Sequence, residues 1–337
     1  MARLIRRLWS AVLILSLLLT GCAAKPTPHE QQFTAMDTFM HFTVYGDRDA
    51  ARLAKEELLH LDRLLSVTNE DSQVYALNHR TTPTNSLSPE LTALLEQALI
   101  LARQTEGAFD PTVYPVVRAW GFTTDTHQVP TQEELDRLLT LVDYTAPILD
   151  AHSLTLPEGV QLDFGGIAKG WAGDRAAQLL RGKGVTSAIL RLGGNIHTIG
   201  TKPDGSMWNI GIEDPDSGGT LGVVSVADLA VVTSGSYQRF FTENGQTYHH
   251  IIDPSTGRPA ESGLTSVTVV GRYGARCDAL STALFVMGLE EAAQFWREHR
   301  DFEAVFVNED GSVSITAGLE NRFALSAGQT RRLEVLK

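Results

Sequence analysis

The sequence predicts an α+β fold, a single globular unit of mostly antiparallel sheets with flanking helices. Three observations carry this. Short apolar strands separated by turn residues run consecutively through the second half, from "SAILRL" at Ser187 to "TSVTVVG" ending at Gly271. Helical patterns lie before and after that run instead of alternating with it, which disfavours a doubly wound sheet. No repeat of fixed period interrupts the chain, and the one biased stretch is a short polar segment near the start.

That start reads as an export signal. Arg3, Arg6 and Arg7 precede the run "AVLILSLLL", which is short for a membrane span, and "LTGC" follows at Leu19–Cys22. This is the pattern of a lipoprotein signal peptide over 1–21, with Cys22 the site of lipidation; the competing reading is a signal-anchor with a chance cysteine. Residues 22–33, polar with two prolines, read as a flexible tether, and 34–337 as the folded domain. The expected location is outside the cytoplasm, lipid-anchored to the cell membrane and facing the periplasm or cell exterior.

Cleavage would leave 316 of the 337 residues and remove three arginines, taking the formal charge from −12 to −15. An acidic chain with dispersed lysines is a poor nucleic-acid binder. With Cys22 acylated, only Cys277 remains, so an internal disulfide is not expected. Cys277 itself reads as a small buried residue, since no local charge would activate it.

Leu53, Leu58, Leu61, Leu64 and Leu65 recur at helical spacing, predicting a helix over 49–65. Ser88-Pro89-Glu90 opens a second helix that runs to Gly107. Thr131 and Glu134 form a capping box before Leu135, Leu138 and Leu139. A short strand is expected over Val160–Phe164, then a Gly165-Gly166 turn and a helix from about Ile167. "CDALSTALFVMG" and "EEAAQFWREH" close the chain as two helices.

Four polar constellations stand out. The first is "QLDFGGIAKGWAGD". A helix start is already electropositive, yet Lys169 adds a full charge in the first turn. A solvated lysine is the plain reading. An anion held by the glycine turn, the helix start and Lys169 is the sharper one. The second is "YHHIID", where His249 and His250 alternate on a predicted strand and so face opposite ways. The third is Asp278 with Thr282, four apart and therefore on one helix face. A carboxylate and a hydroxyl so placed suit a hard cation such as Mg²⁺; alternatively Asp278 only complements its own helix start. The fourth is "EGAFDPTVYPVVRAWGF", readable as a helix cap with an aromatic plug. The scattered histidines make no zinc-type set.

Together these segments resemble the ApbE family, the FAD:protein FMN transferases, from about Met36 to Gly288. The likeness runs in order through "AMDTF", "LSVTNEDSQVYALN" ending at Asn78, "EGAFDPTVYPVVRAWGF", "LDFGGIAKG", "RLGGNIHTIG", "TSGSYQRFF", "YHHIIDPSTGRP" and "CDALSTALFVMG". Two positions depart from the family pattern: Asp37 stands where a glycine is usual, and Thr68 where many members carry Tyr. The resemblance implies a fold of the ApbE, T-fold-related type. It also implies FAD contacts from Met36, Ala108, Phe109, Asp110, Asp163, Lys169 and Ile252. Mg²⁺ would be held by the Gly166 carbonyl, Asp278 and Thr282, with Ser281 beside them, and His250 would be catalytic.

The activity implied is Mg²⁺-dependent transfer of FMN from FAD to a Thr or Ser hydroxyl of an exported client, releasing AMP. Clients would be flavin-acceptor domains of membrane redox complexes, Rnf-type or sodium-pumping quinone reductases. Two alternatives stand beside it: an Mg²⁺-dependent FAD pyrophosphatase giving FMN and AMP, which would use the same residues, and a non-catalytic, lipid-anchored flavin-binding protein, which would need neither the Asp278/Thr282 pair nor His250.

Overall fold

A computed structural model describes residues 27–124 and 126–337. The signal segment 1–21 and Cys22 lie outside the described residues. Nine strands form the main sheet: β1 Pro28–Ala35, β2 Thr38–Tyr45, β3 Ala188–Leu192, β4 Asn195–Ile199, β5 Ala230–Gly235, β6 Leu264–Gly271, β7 Phe302–Asn308, β8 Val313–Thr316 and β9 Leu333–Leu336. Their order across the sheet is their order along the chain. Neighbours are antiparallel except β8 and β9, which are parallel.

Among the described residues, seven helices accompany the sheet: α1 Arg48–Leu65, α2 Gln73–Asn78, α3 Pro89–Gln104, α4 Tyr114–Ala119, α5 Gln132–Leu139, α6 Ala168–Gly182 and α7 Gly274–His299. Strand alternation assigns the two faces. Phe42, Val44 and Leu190 join α1 and α6 in one core, and Val232, Val267 and Val269 join α7 in a second. Ile189, Val231, Val270 and Val305 point the other way, onto a small sheet built from Trp208–Glu213, Thr220–Val226 and Phe323–Leu325. The layers are thus helices, main sheet, small sheet.

The expected helices form where their caps and stripes lie. Asp47 accepts from the amides of Asp49 and Ala50 at the start of α1, whose Ala54, Leu58, Leu61 and Leu65 are buried. Ser88 and Thr131 cap α3 and α5. The two closing helices are one run, α7, broken at Gly288 (φ 76°, ψ 171°), a conformation that L side chains rarely adopt.

Three expectations need correction. The tether does not extend over 22–33, because β1 begins at Pro28. Proline is tolerated there as the first residue of an edge strand, and Phe33 packs edge-on against Phe42 at 5.3 Å. Val160–Phe164 is not a strand; it makes a single bridge, Val113 to Gln161. The Asn78 side chain takes the place of a strand partner, donating to the Leu162 carbonyl at 2.8 Å and accepting from the Leu162 amide at 2.7 Å. Finally, the strand through His249 and His250 stops at His249, and His250 sits in a bend.

The hairpin joining β1 to β2 turns through Met36 (φ 49°) and Asp37 (φ 55°). A two-residue turn of this hand needs positive φ at both positions, and Asp is among the side chains that tolerate it.

Glycine sets the contact between α6 and α7. A methyl group on Gly170 would fall 2.1 Å from the Gly274 carbonyl oxygen and 2.7 Å from Asp278 Cβ. Gly170→Ala must therefore push the two helices apart. Overpacking of this kind costs about 1–3 kcal/mol. Urea unfolding should show a loss in that range, and unchanged stability would mean that the helices are free to separate.

Candidate active site

The turn that precedes α6 is tied down from both sides. The Asp163 amide donates to the Pro111 carbonyl at 2.8 Å, and the Ile167 and Ala168 amides donate to the Phe164 carbonyl. Asp163 Oδ1 accepts from the Gly165 amide at 2.7 Å, so its first partner is the backbone and not Lys169. Lys169 curls back over the turn, its Nζ 3.4 Å from the Gly165 carbonyl oxygen. Burial pushes the Asp163 carboxyl up, opposed by the Gly165 amide and by the positive charges of Lys169 and Arg239. Ile167 at the helix start makes no side-chain cap of its own, and with a lysine and an arginine beside it the start favours an anionic ligand.

Beside this pole lies a set of oxygen donors. Asp278, 4% exposed, accepts the Gly170 amide on Oδ2 at 2.8 Å. The carboxylate therefore caps α6 rather than its own helix. Ser281 donates to the Asp278 carbonyl at 2.8 Å, and its hydroxyl lies 2.8 Å from that of Ser234. Ser234 also stands 3.3 Å from Thr282 Oγ1. Gly166 abuts both halves of the site: a methyl there would lie 3.5 Å from Thr282 Oγ1 and 3.2 Å from the Phe109 ring. No group of three or more His, Cys, Asp or Glu suited to a metal exists among the described residues. A hard cation at Asp278, Thr282 and the Gly166 carbonyl would thus need ligand oxygens and water to complete its shell.

The two histidines meet different surroundings. His249 Nε2 lies 3.1 Å from the Ala260 carbonyl, its Nδ1 accepts from the Ile251 amide, and its ring meets Phe285 edge-on at 5.5 Å. Both nitrogens are committed to the backbone of Ala260 and Ile251, and the ring packs against α7. His250 turns towards Phe122 and the charges of Arg239 and Lys169. Its Nδ1 is 3.1 Å from the Arg239 carbonyl, which fixes the proton on Nδ1 and leaves Nε2 with a lone pair. Burial, then the Arg239 and Lys169 charges, push this imidazole down to about 3.

The remaining expected residues are held by contacts of their own. Asp110, 6% exposed, spends its carboxylate on the Thr112 amide and hydroxyl and on the Tyr144 amide. It shapes the loop that carries Ala108 and Phe109. Ile252 is buried in the aromatic cluster of Trp120 and Phe122, and the Met36 amide donates to Asp62 at 2.7 Å. Thr68 is exposed in the loop after α1, 3.2 Å from the Ser66 hydroxyl. Cys277 is a free, buried thiol pushed well up by desolvation. Ser234 and Arg239 had no role assigned from sequence, although both lie within "TSGSYQRFF".

The fold brings hydroxyl and carboxylate oxygens together beside a helix start, a lysine and a neutral histidine, an arrangement suited to an enzyme of group transfer. The chain belongs to the ApbE family, whose description matches residues 36–306. It is 36% identical over 327 residues to an FAD:protein FMN transferase of Treponema pallidum, with 90% of each chain covered. It is 30% identical over 315 residues to the enzyme of that name from Escherichia coli K12, covering 85% of this chain and 88% of that one. The ApbE protein of Thermotoga maritima superposes with a TM-score of 0.83 at 32% identity, over 88% of this chain and 99% of that one. The flavin transferase ApbE of Vibrio cholerae gives a TM-score of 0.77 at 26% identity, over 90% and 98%.

An imidazole held near pKa 3 is neutral throughout the physiological range. NMR titration of the FAD-free protein should find His250 uncharged from pH 8 down to pH 5; a midpoint near 6.5 would contradict the site's electrostatics. The unfolded imidazole takes up its proton near 6.5, so this group's contribution to stability is present above that pH and is lost as the pH falls towards 3.

Proposed function

We propose that this protein transfers FMN from FAD to a Thr or Ser hydroxyl of an exported client, with AMP as the other product. The observation that carries the reading is the meeting at Gly166 of an anion pole and an oxygen-donor set, with His250 presenting a free Nε2 on the same side as Lys169.

In this reading the FAD pyrophosphate lies over the turn before α6, where Lys169 offsets its charge. The client hydroxyl oxygen bonds to the FMN phosphorus as the bond from that phosphorus to the bridging oxygen breaks. AMP leaves with that oxygen, and the hydroxyl proton goes to His250 Nε2. Arg239, through its carbonyl, holds the imidazole in the tautomer that accepts it. Asp278, Thr282 and the Gly166 carbonyl offer Mg²⁺ the hard oxygen ligands it prefers. Bound there, the ion would neutralise charge on the phosphate and leaving oxygens. Holding phosphate and hydroxyl in line is most of the work in such transfers. Phe109 and the loop shaped by Asp110 wall the ligand's other side.

In this reading the "LTGC" segment at Leu19–Cys22 supports a lipid anchor on the exported face of the membrane, where flavin-acceptor domains of membrane redox complexes would be within reach. No helix among the described residues is long and apolar enough to cross a membrane. Cys22→Ser should leave unprocessed precursor without an acylated terminus; mass spectrometry of the wild type finding Met1 intact or Cys22 unmodified would refute the anchor.

Incubation with FAD, Mg²⁺ and a client domain distinguishes the readings. Transfer gives a covalently flavinylated client, hydrolysis gives free FMN, and a carrier gives neither. Asp278→Ala should remove Mg²⁺-dependent turnover, and Thr282→Ala, which loses a neutral ligand, should weaken it less. In single-turnover assays at saturating FAD and Mg²⁺, His250→Ala should slow transfer by roughly 10²- to 10⁴-fold, the worth of positioned proton transfer. His249→Ala should cost only a few-fold, through packing against Phe285. Equal losses in the two variants would overturn the assignment of roles.

A further inference from the structure

Below the site, on the helix-facing side of the sheet, lies a histidine that the proposed reaction does not use. His197 of β4 is 3% exposed. Its ring fills a notch between Gly173 of α6 and Gly274 at the start of α7. A methyl on either glycine would fall 2.1 or 2.0 Å from a ring atom. Nδ1 stands 3.6 Å from Asp174 Oδ1, longer than a hydrogen bond but close enough to orient the carboxylate. Asp174 in turn accepts the first two amides of α7, Gly274 at 2.7 Å and Ala275 at 2.9 Å. One turn further along α7 comes Asp278, bonded to the Gly170 amide of α6.

We propose that His197 is a positioning residue for the oxygen-donor set: through Asp174 and the glycine notch it fixes the register of α7 on α6, and with it the placement of Asp278 and Thr282 against Gly166. Packing alone does not account for an imidazole here. Its Nε2 is buried without a partner, a desolvation cost that an apolar side chain would avoid. What an apolar side chain lacks is a polar edge towards Asp174. Burial pushes the His197 imidazole down, so it meets Asp174 as a neutral ring while Asp174 accepts the α7 amides. The sheet, α6 and α7 are thereby held at one point, a turn away from the donors.

The inference rests on the cation site proposed above, and its test separates the two. The probe is Mn²⁺, titrated by EPR into FAD-loaded protein, with FAD affinity measured separately by flavin fluorescence without metal. Residues that orient metal ligands are typically worth about 10- to 100-fold in metal affinity, so His197→Ala should weaken Mn²⁺ binding at least about tenfold and leave FAD affinity within about threefold. His197→Asn, which returns an N–H donor near the Nδ1 position, should recover most of the loss. If His197→Ala does not fold, Asp174→Asn carries the test at constant volume and should weaken Mn²⁺ in the same direction. A lower melting temperature with unchanged Mn²⁺ affinity, or an Asn variant no better than Ala, would overturn the proposal and leave His197 as packing. If Asp278→Ala fails to weaken Mn²⁺, the cation site itself is wrong and the inference falls with it.

Discussion

The contact between α6 and α7 is the constraint on which the site depends. Gly170 and Gly274 remove the side chains that would hold the helices apart, Gly173 makes room for the His197 ring, and the two backbones close to distances no Cβ permits. Only at that separation can Asp278 reach the Gly170 amide. A hydrogen bond to a charged partner is worth about 1.5–3 kcal/mol and would be costly to break once buried. The same approach sets Thr282 against Gly166. One packing decision therefore places a negative oxygen, a hydroxyl and the helix start within a single site.

The charges divide in a way that suits an anionic substrate. The chain as a whole is acidic, yet Lys169, Arg239 and the α6 start gather around one turn. The carboxylates nearby are partly neutralised by backbone amides: Asp163 by Gly165, Asp278 by Gly170, Asp110 by Thr112 and Tyr144. A phosphate approaching this turn meets donors more than bare negative charge. Burial and the positive neighbours also keep His250 unprotonated, so the field that attracts the ligand leaves its neighbour neutral.

Much of this was legible in the sequence, for identifiable reasons. Helix caps at Ser88 and Thr131 and the leucine stripe of α1 are local signals, and they located their helices. Asp278 and Thr282 share a face because helical period requires it. The opposite facing of His249 and His250 followed from strand parity and survived even though the strand ends at His249. What escaped was non-local. Nothing near Asn78 in sequence announces that its amide replaces a strand partner at Leu162, more than eighty residues away. Asp278 as a cap for α6, Ser234 beneath Thr282 and Arg239 beside His250 arise only when the sheet order brings distant segments together. The strand at Pro28 was hidden by proline and polar composition, which an edge strand accepts.

The most direct test of the account is a crystal structure of the protein with FAD and Mn²⁺, collected at a wavelength where manganese scatters anomalously. The account predicts one peak bounded by Asp278 Oδ1, Thr282 Oγ1 and the Gly166 carbonyl, with the FAD phosphates alongside Lys169. A peak in the acidic groove lined by Glu106, Asp143 and Glu291, with none at Asp278, would contradict it.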